Sequence, residues 1–237
     1  MDDVIQYAKT LFGIDLTAEQ VAMFQKYADE LTAWNTHTNL TAIIEPQAVA
    51  IRHFLDSLSL VPYLKSDTPQ KMIDVGTGAG FPGMVLAILF QQHQVTLLEA
   101  TGKKIKFLDH VIELLGLKNA QTLNARAEDA GQMSGHRAKY DIVMARAVAR
   151  LPALLEYMLP LAKVHGVCIA MKGVSAQDEL ADSRIALKTL GGQFNKIETV
   201  MLPTVEEAHY LVIIHKIAKT PSDYPRKPGI PTKKPLI

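Results

Sequence analysis

The stretch Met72–Gly83, MIDVGTGAGFPG, decides how the rest of this 237-residue chain is interpreted. It consists of an apolar strand that ends in an acid and is followed at once by alternate glycines and a helix start. Such glycines, here Gly76, Gly78 and Gly80, allow a tight turn with positive φ and leave no Cβ between the loop and a ligand. The stretch therefore predicts a nucleotide-like cofactor bound over the turn between a strand and a helix.

Two acids at strand ends indicate which cofactor the turn binds. Glu99 ends the next apolar run, where its carboxylate can accept both hydroxyl protons of a ribose. Gly78–Gly83 also matches the G-x-G-x-x-G pattern of nicotinamide dehydrogenases, so an NAD-dependent oxidoreductase is an alternative. Asp74, however, lies at the mouth of the turn, where it would repel a pyrophosphate and attract the cationic groups of S-adenosylmethionine. We therefore expect S-adenosylmethionine to be bound by Asp74, Gly76, Gly78, Gly80 and Glu99.

The composition is typical of a globular protein with one main domain. Hydrophobic residues make up 48% of the chain and the formal net charge is +1, so no global field attracts nucleic acid. The single cysteine, Cys168, fits a reducing compartment. The acidic N-terminus and the lack of a long apolar run predict a cytoplasmic protein that does not enter a membrane. The eight histidines show no metal-ligand spacing, so we expect no metal site.

The pattern of apolar residues divides the chain into three regions. Residues 1–68 are expected to form a helical N-terminal extension and residues 69–218 a methyltransferase domain. Residues 219–237 hold five Lys or Arg and one acid and are rich in proline. This composition predicts a basic tail that packs on the body and is neither helix nor central strand.

Local signals predict where the first helices begin. Thr17 and Gln20 have the spacing of a capping box. A second helix is expected to begin near Pro46, with Arg52 and Asp56 on a different side from its apolar face.

From residue 71 onward, strands and helices alternate. The last two apolar runs have no helix between them, so they are expected to pair as an antiparallel hairpin. This order predicts the α/β fold of a class I S-adenosylmethionine-dependent methyltransferase, a Rossmann-like seven-stranded sheet whose last strand is antiparallel. The expected strands lie near 71–75, 95–99, 121–124, 140–145, 167–172, 194–201 and 208–217. The expected helices lie near 82–91, 101–115, 151–162 and 176–190.

The carboxyl ends of these strands, where ligands of open parallel sheets bind, are polar or charged. After the third strand, Glu128 and Asp129 compete to accept a hydrogen bond from the adenine amino group, while Asp129 is the better candidate to cap the helix that follows. Phe81 is either a core aromatic or a ring beside the sulfonium. Arg146 ends the fourth strand, where enzymes that methylate exocyclic amines carry Asn or Asp, then two prolines and an aromatic.

The absence of that motif favours a ring nitrogen as the methyl acceptor. Attack by a pyrimidine carbon needs a thiolate, but Cys168 lies in an apolar run and is interpreted as a core residue. A ring nitrogen such as guanine N7 has a free lone pair and no proton to lose, so catalysis reduces to positioning. Arg146 is then a positioning residue, and no classical base is expected. Ribose methylation with Lys172 as the base stays open.

Several segments, more specific than the glycine loop, resemble the bacterial ribosomal RNA small subunit methyltransferase G family, also called glucose-inhibited division protein B. The similarity spans nearly the whole chain and rests on Asn39–Ile43, Arg52–Leu58, Asp74–Gly83, Arg146–Ala149, Lys172–Gly173 and Tyr224–Lys227. It implies methyl transfer from S-adenosylmethionine to N7 of a guanine in the decoding-region loop of 16S ribosomal RNA. It places the cofactor at Gly76, Phe81, Ala127, Glu128 and Arg146.

With this resemblance, we expect the helical extension and the tail to flank the active site and bind RNA. Three lysines at the start of the helix after Glu99, Lys103, Lys104 and Lys106, oppose the helix dipole. Contact with RNA phosphates explains them, unless they are solvated surface residues. The RNA-binding candidates are Arg52, His53, Lys103, Lys104, Lys172, Arg226 and Lys227. The expected partner of this monomer is 16S ribosomal RNA within the 30S subunit or an assembly intermediate. A non-catalytic RNA-binding assembly factor is the remaining alternative.

Overall fold

A computed structural model describes residues 1–64 and 67–237. Within these residues the strands form one seven-stranded sheet of order β3-β2-β1-β4-β5-β7-β6. The strands are β1 (Lys71–Val75), β2 (Gln94–Glu99), β3 (Ala120–Asn124), β4 (Tyr140–Arg146), β5 (Ala162–Lys172), β6 (Gly192–Val200) and β7 (His209–Lys216).

Helices cover both faces of this sheet and precede it in the chain. The α-helices are α1 (Asp2–Phe12), α2 (Ala18–Thr38), α3 (Pro46–Val49), α4 (Asp56–Leu58), α5 (Gly83–Leu89), α6 (Gly102–Leu115), α7 (Ala127–Gln132), α8 (Leu151–Met158), α9 (Ala176–Ala181), α10 (Arg184–Leu190) and α11 (Ile230–Lys233). A π-helical segment (Ala50–Leu55) joins α3 to α4, and a 3-10 turn (Val61–Tyr63) precedes the sheet. No helix among the described residues is long and apolar enough to cross a membrane.

Alternation along the strands creates two apolar cores. Met72 and Met144 belong to the core that also includes residues from α1, α2, α5 and α6. Ile73 and Val143, their neighbours in sequence, belong to the core beneath α8 and α10. Because successive side chains of a strand point to opposite faces, central strands buried on both sides read as continuous apolar runs.

The sheet confirms the predicted fold class and hairpin. β1, β2, β3, β4 and β5 pair in parallel, whereas β7 is antiparallel to both β5 and β6. The strand order reverses between β1 and β4, and a crevice at the carboxyl ends of such strands is where open α/β sheets bind ligands. The predicted helix 176–190 is in fact two helices, and Ser183 is the N-cap residue of the second.

The N-terminal helices confirm two local predictions. Thr17 and Gln20 form the expected capping box at the start of α2. The helix at Pro46 begins as predicted, with Glu45 accepting from the first backbone N–H groups. Asp56, which was predicted to lie with Arg52 on a different side from the apolar face, is only 2% exposed.

The proline-rich tail contains one helical turn, α11, which the sequence pattern had excluded. Pro231 sits in its first turn, where the missing N–H would have no intrahelical partner and the fixed φ suits a helix.

Tyr27 of α2 joins the helical region to the glycine turn. Its side chain is fully buried, and its hydroxyl donates a hydrogen bond to the Ala79 carbonyl. Its ring stacks on Phe81, with centroids 5.0 Å apart. This contact means that the shape of the turn depends on a helix more than 50 residues earlier.

We predict that Tyr27→Phe lowers the free energy of unfolding by about 1–3 kcal/mol, because the buried Ala79 carbonyl loses its donor. Urea denaturation of both proteins measures the difference. The same change at the half-buried Tyr7 of α1 is the control. Equal stabilities for Tyr27→Phe and the parent chain would contradict a structural role for this hydroxyl.

Candidate functional site

The turn after β1 contains three glycines that share a left-handed conformation but differ in their surroundings. Gly76, Gly78 and Gly80 have φ of 67°, 62° and 104°, values that L side chains rarely adopt. A Cβ on Gly76 would lie 2.8 Å from Val148, and one on Gly80 would collide with the Tyr27 hydroxyl. A Cβ on Gly78 would meet only a backbone oxygen at 4.0 Å. Gly76 and Gly80 are therefore required by protein packing, whereas Gly78 borders open space that a ligand can fill.

Asp74 and Glu99 hold this turn in shape. Asp74 Oδ2 accepts from the Thr77 hydroxyl at 2.5 Å and the Gly83 N–H at 2.8 Å. Glu99 Oε2 accepts from the Gly78 N–H at 3.1 Å, and Oε1 accepts from the Thr101 N–H at 2.8 Å. These bonds fix the direction in which the backbone amides of the turn point.

Asp74 is an unusual carboxyl group because it is completely buried. Burial raises its pKa to about 6, although its hydrogen bonds to Thr77 and Gly83 work against this shift. Its Oδ1 atom has no hydrogen-bond partner among the described residues. Asp74 lies behind the turn and does not line the cavity described next. Direct contact between Asp74 and the cofactor therefore stays a prediction.

A cavity of about 290 Å³ opens at the ends of β1, β2 and β3, and we call it the β1–β3 cavity. Four residues predicted to bind the cofactor lie in its wall, namely Gly76, Glu99, Ala127 and Glu128. The rest of the wall consists of Val75, Leu98, Ala100, Ala125, Arg126, Val148, Tyr157, Gly229 and Thr232. The walls thus combine two carboxylates with apolar side chains and backbone, a combination suited to an adenosyl group.

The two candidates for the adenine acid differ in position. Glu128 is 7% exposed and lines the β1–β3 cavity. Asp129 is exposed in the first turn of α7 and does not line the cavity. Nor does Asp129 cap that helix, because its N-cap residue is Arg126 and no side-chain capping bond is present. Of the two candidates, only Glu128 borders the β1–β3 cavity, so its contact with adenine is the prediction that stays open.

A second cavity, of about 350 Å³, lies at the ends of β4 and β5, and we call it the β4–β5 cavity. It contains Arg146 together with three of the RNA-binding candidates, Arg52, His53 and Lys172. The rest of its wall consists of Ile43, Asp56, Ala147, Met171, Gly173, His209 and Leu211. Strand ends and the π-helical segment Ala50–Leu55, which are far apart in sequence, therefore bring five Arg, Lys and His side chains to one opening.

Arg146 is the best connected residue of the β4–β5 cavity. Its Nη1 donates to Asp56 Oδ2 at 2.9 Å and to the Arg52 carbonyl at 2.8 Å. Its Nη2 lies 3.1 Å from His53 Nδ1. The other oxygen of Asp56 contacts His209 Nδ1 at 3.1 Å, and this bond raises the pKa of His209. The guanidinium is thus fixed by three groups from the Arg52–Leu58 motif.

His53 is a neutral imidazole with both ring nitrogens engaged. Burial, followed by the Arg146 charge, lowers its pKa to about 4. Because a guanidinium can only donate, Nδ1 accepts from Arg146, and Nε2 then carries the proton and donates to the Thr41 hydroxyl, 2.9 Å away. The ring also stacks on Phe81 with centroids 4.6 Å apart. The structure therefore places His53 as a buried support for Arg146.

Phe81 fits the first of its two interpretations. It is 3% exposed and contacts the rings of Tyr27, His53 and Phe54, and the Arg146 guanidinium lies 5.4 Å from its centroid. Phe81 is a core aromatic that carries the turn, and its contact with a sulfonium stays a prediction.

The segment Arg146–Val148 separates the two cavities. Arg146 and Ala147 line the β4–β5 cavity, and Val148 lines the β1–β3 cavity. Ala147 has φ of 55°, a left-handed conformation that costs energy for a residue with a Cβ. This turn directs consecutive side chains into two neighbouring cavities. A ligand in the β1–β3 cavity and a ligand in the β4–β5 cavity would therefore be separated only by Arg146–Val148.

The remaining RNA-binding candidates include exposed or half-buried lysines and two basic residues that form ion pairs within the protein. Lys103 and Lys227 are exposed, and Lys104 is half-buried. Lys172 bonds Glu179 at 2.7 Å and the Ala149 carbonyl at 2.9 Å. Arg226 pairs with the buried Glu156. Most N–H donors of Lys172 and Arg226 are therefore hydrogen-bonded within the protein.

Sequence reasoning missed five residues that shape the site. They share no local motif, because each is placed by contacts distant in sequence: Tyr27, Asp56, Tyr157, His209 and Thr232. Only Asp56 left a signal, since an acid within an apolar helix pattern often has a buried partner. The interpretation of Cys168 as a core residue is confirmed, because its side chain is completely buried in the core beneath α8 and α10, and this burial raises the pKa of its thiol to about 12.

We predict that His53 makes the protein less stable as the pH falls from about 6.5 to 4. Its pKa is near 6.5 in the unfolded chain and about 4 in the fold, so the unfolded chain binds the proton first. The resulting decrease in the free energy of unfolding is at most about 3 kcal/mol. Asp74, whose pKa is raised in the fold, has the opposite effect on stability between these pH values. Because both the parent chain and a His53 variant contain Asp74, its contribution cancels in their difference.

Urea denaturation of the parent chain and of His53→Gln at several pH values isolates the contribution of His53. The stability advantage of the parent chain should shrink as the pH falls, because the variant lacks this titration. Two parallel pH profiles would contradict a buried, neutral His53.

Comparison with known proteins agrees with this geometry. The profile of the family described as rRNA small subunit methyltransferase G matches residues 20–209. The ribosomal RNA small subunit methyltransferase G of Roseiflexus castenholzii is 45% identical over 237 residues, which cover 100% of both chains.

Two solved structures show the same fold at low sequence identity. A SAM dependent methyltransferase from Aquifex aeolicus has a TM-score of 0.54 and 16% identity, covering 72% of this chain and 93% of the other. A variant of the 16S rRNA (adenine(1408)-N(1))-methyltransferase from Catenulisporales acidiphilia, solved with its cosubstrate SAM, has a TM-score of 0.52 and 16% identity, covering 65% and 88%. Together, the profile match, the full-length relative and the shared sheet show that the chain belongs to the ribosomal RNA small subunit methyltransferase G family.

Proposed function

We propose that this protein transfers the methyl group of S-adenosylmethionine to N7 of a guanine in the decoding-region loop of 16S ribosomal RNA. The observation that carries the proposal is the pair of adjacent cavities divided by Arg146–Val148 in a member of this family. One cavity has the lining for an adenosyl group, and the other has basic side chains for a nucleotide. A nicotinamide oxidoreductase, the alternative from the glycine pattern, does not agree with the family.

The β1–β3 cavity fits the methyl donor. The Glu128 carboxylate is positioned to accept from an adenine amino group, and Glu99 to accept from ribose hydroxyls. Gly76 lines this cavity, Gly78 lies beside open space in the same turn, and the buried Asp74 supplies negative charge behind the turn. When bound, the donor supplies an electrophilic methyl group on a sulfonium.

The β4–β5 cavity fits a reaction that needs orientation and no base. His53 is neutral with both nitrogens engaged, and both oxygens of Asp56 have partners. Lys172 Nζ is engaged by Glu179 and by the Ala149 carbonyl, which argues against its use as the base for ribose methylation. None of these groups is free to remove a proton. Guanine N7 is an acceptor that has no proton to lose.

We assign Arg146 the role of positioning the base. Three of its five N–H bonds have acceptors among the described residues, and two remain for a ligand. Guanine O6, next to N7, is an acceptor that a guanidinium recognises well. A guanidinium fixed by Asp56 and His53 would hold N7 in line with the methyl group, and such alignment lowers the barrier.

RNA would reach this opening between two flanking regions. We propose that residues 1–68 and 219–237 form the sides of an RNA-binding surface around the methyltransferase domain of residues 69–218. Arg52, Lys103, Lys104 and Lys227 present charge that RNA phosphates can contact. The protein would act in the cytoplasm, as a monomer, on the 30S subunit or an assembly intermediate.

The direct test uses tritiated S-adenosylmethionine and small subunits from a strain that lacks the modification. Transfer of label to 16S ribosomal RNA, followed by cleavage at N7-methylguanine, locates the product. Deproteinised RNA in a parallel reaction identifies the preferred substrate. Binding without transfer would favour the assembly factor, and label on a ribose or another base would refute the N7 proposal.

We predict that Arg146→Lys lowers kcat by about a hundredfold, because one ammonium cannot hold three partners and also align the base. Lysine keeps a positive charge beside Asp56, so the fold should survive, whereas Arg146→Ala would strand a buried carboxylate. Arg150→Lys, which changes an exposed ion pair with Asp182, is the control. Normal turnover in Arg146→Lys would remove Arg146 from the mechanism.

We predict that reversing Lys103 and Lys104 to Glu weakens RNA binding and flattens its salt dependence. Losing two phosphate contacts should reduce the slope of log K against log salt by about 1.4 for single-stranded RNA. The control is the same reversal at Lys118 and Lys139, which are exposed and lie just before β3 and β4, at the amino ends of the strands. It changes the net charge by the same amount. Equal slopes for both pairs would mean that Lys103 and Lys104 are only solvated.

A further inference from the structure

We propose that the C-terminal tail, residues 219–237, forms the outer wall of the cofactor site and that Arg226 positions it there. The proposal rests on the cofactor placement given above, since it concerns the β1–β3 cavity. Two tail residues, Gly229 and Thr232, line that cavity. The tail therefore borders the space assigned to the adenosyl group, although it lies about 100 residues from Glu128 in sequence.

The first support is a hydrogen bond between the tail and the adenine acid. The Gly229 N–H donates to Glu128 Oε1 over 2.9 Å. Gly229 has φ of 81°, a conformation that favours glycine and turns this N–H toward the cavity wall. The bond occupies one oxygen of Glu128 and leaves Oε2 to meet a ligand. A shift of the tail would therefore change the orientation of the carboxylate.

The second support is the strength with which Arg226 holds the tail. Glu156 of α8 is completely buried, and it accepts from Arg226 Nη2 at 2.7 Å, from Nε at 2.9 Å and from the Arg226 backbone N–H at 2.7 Å. Nη2 also donates to the Lys234 carbonyl at 2.8 Å. A buried carboxylate without its cation is strongly unfavourable, so this pair fixes the tail on α8.

A second anchor holds the beginning of the tail. The Arg137 guanidinium donates to the carbonyls of Thr220, Pro221 and Tyr224, at distances of 2.7 to 3.0 Å. Pro225 packs so closely on Gly131 that a Cβ there would collide with its ring. A segment with little apolar core of its own is thus held by charged hydrogen bonds on both sides of residue 225.

This arrangement assigns Arg226 a different role from the RNA contact expected from sequence. Its Nε and Nη2 groups donate to Glu156 and the Lys234 carbonyl, and its side chain is 26% exposed. Arg226 is a positioning residue that acts on the cofactor through Gly229 and Glu128. Its loss should affect affinity for the donor more than affinity for RNA.

The test compares two neutralising changes in the same tail, Arg226→Gln and Lys233→Gln. Both remove one positive charge, but Lys233 is exposed. Calorimetry with S-adenosylmethionine and with S-adenosylhomocysteine measures donor-site affinity in the full-length protein, and steady-state assays give KM for RNA and kcat. In the single variant the buried Glu156 carboxylate has lost its cationic partner. The double variant Arg226→Gln with Glu156→Gln also removes that negative charge, so it reports on tail position even if the single variant is poorly folded.

We expect Arg226→Gln and the double variant to weaken both ligands by about tenfold or more, the factor that corresponds to losing one hydrogen bond to a charged group. The two ligands should be affected equally, because the tail borders the adenosyl end that they share. KM for RNA and kcat at saturating donor should stay near the parent values, and Lys233→Gln should bind both ligands normally.

Two results would overturn the proposal. Unchanged affinity for S-adenosylhomocysteine would mean that the tail only packs on α8. A raised KM for RNA with normal donor affinity would make Arg226 an RNA contact. Since S-adenosylhomocysteine binding does not depend on which base is methylated, this test can succeed even where the N7 proposal fails.

Discussion

The ion pair between Asp56 and Arg146 is the interaction on which the site depends. It joins a helix that precedes the sheet to the end of β4, beside the point where strand order reverses. Asp56 is 2% exposed, so its charge requires compensation, and Arg146 provides it while the Arg52 carbonyl and His53 share the guanidinium. The helical region thus contributes a wall of the β4–β5 cavity as well as a cover for the core.

Buried charge recurs wherever this protein fixes an irregular segment. Asp74 and Glu99 hold the glycine turn, Glu179 holds Lys172 and the start of α8, and Glu156 holds the tail. Apolar contacts are nondirectional and cannot fix the direction of a turn that lacks side chains. Carboxylates that accept backbone N–H groups are directional, and charge makes such bonds stronger.

The sequence predicted what depends on local order. Apolar runs and turn residues gave all seven strands to within a few residues, and the lack of a helix before His209 gave the antiparallel hairpin. Gly76 and Glu99 were predicted from the glycine turn and the strand ends, because parallel strands bring their carboxyl ends to one edge. Ala127 was implied only by the family resemblance, and the strand ends alone left Glu128 and Asp129 as alternatives. In contrast, the partners of Arg146, the buried position of Asp56 and the route of the tail come from contacts over 70 or more residues. No periodicity records such contacts, so these features emerged only from the structure.

The position of β7 has a consequence for how the chain is made. β7 is an interior strand, hydrogen-bonded to β5 on one side and β6 on the other, yet it is the last strand to be synthesised. While residues 209–216 remain in the ribosomal exit tunnel, β6 has no neighbour in the sheet and β5 has an open edge. Open edges of this kind invite pairing with other chains. The nascent protein therefore completes its sheet only after residues 209–216 have left the tunnel, and chaperone protection would matter most before that point.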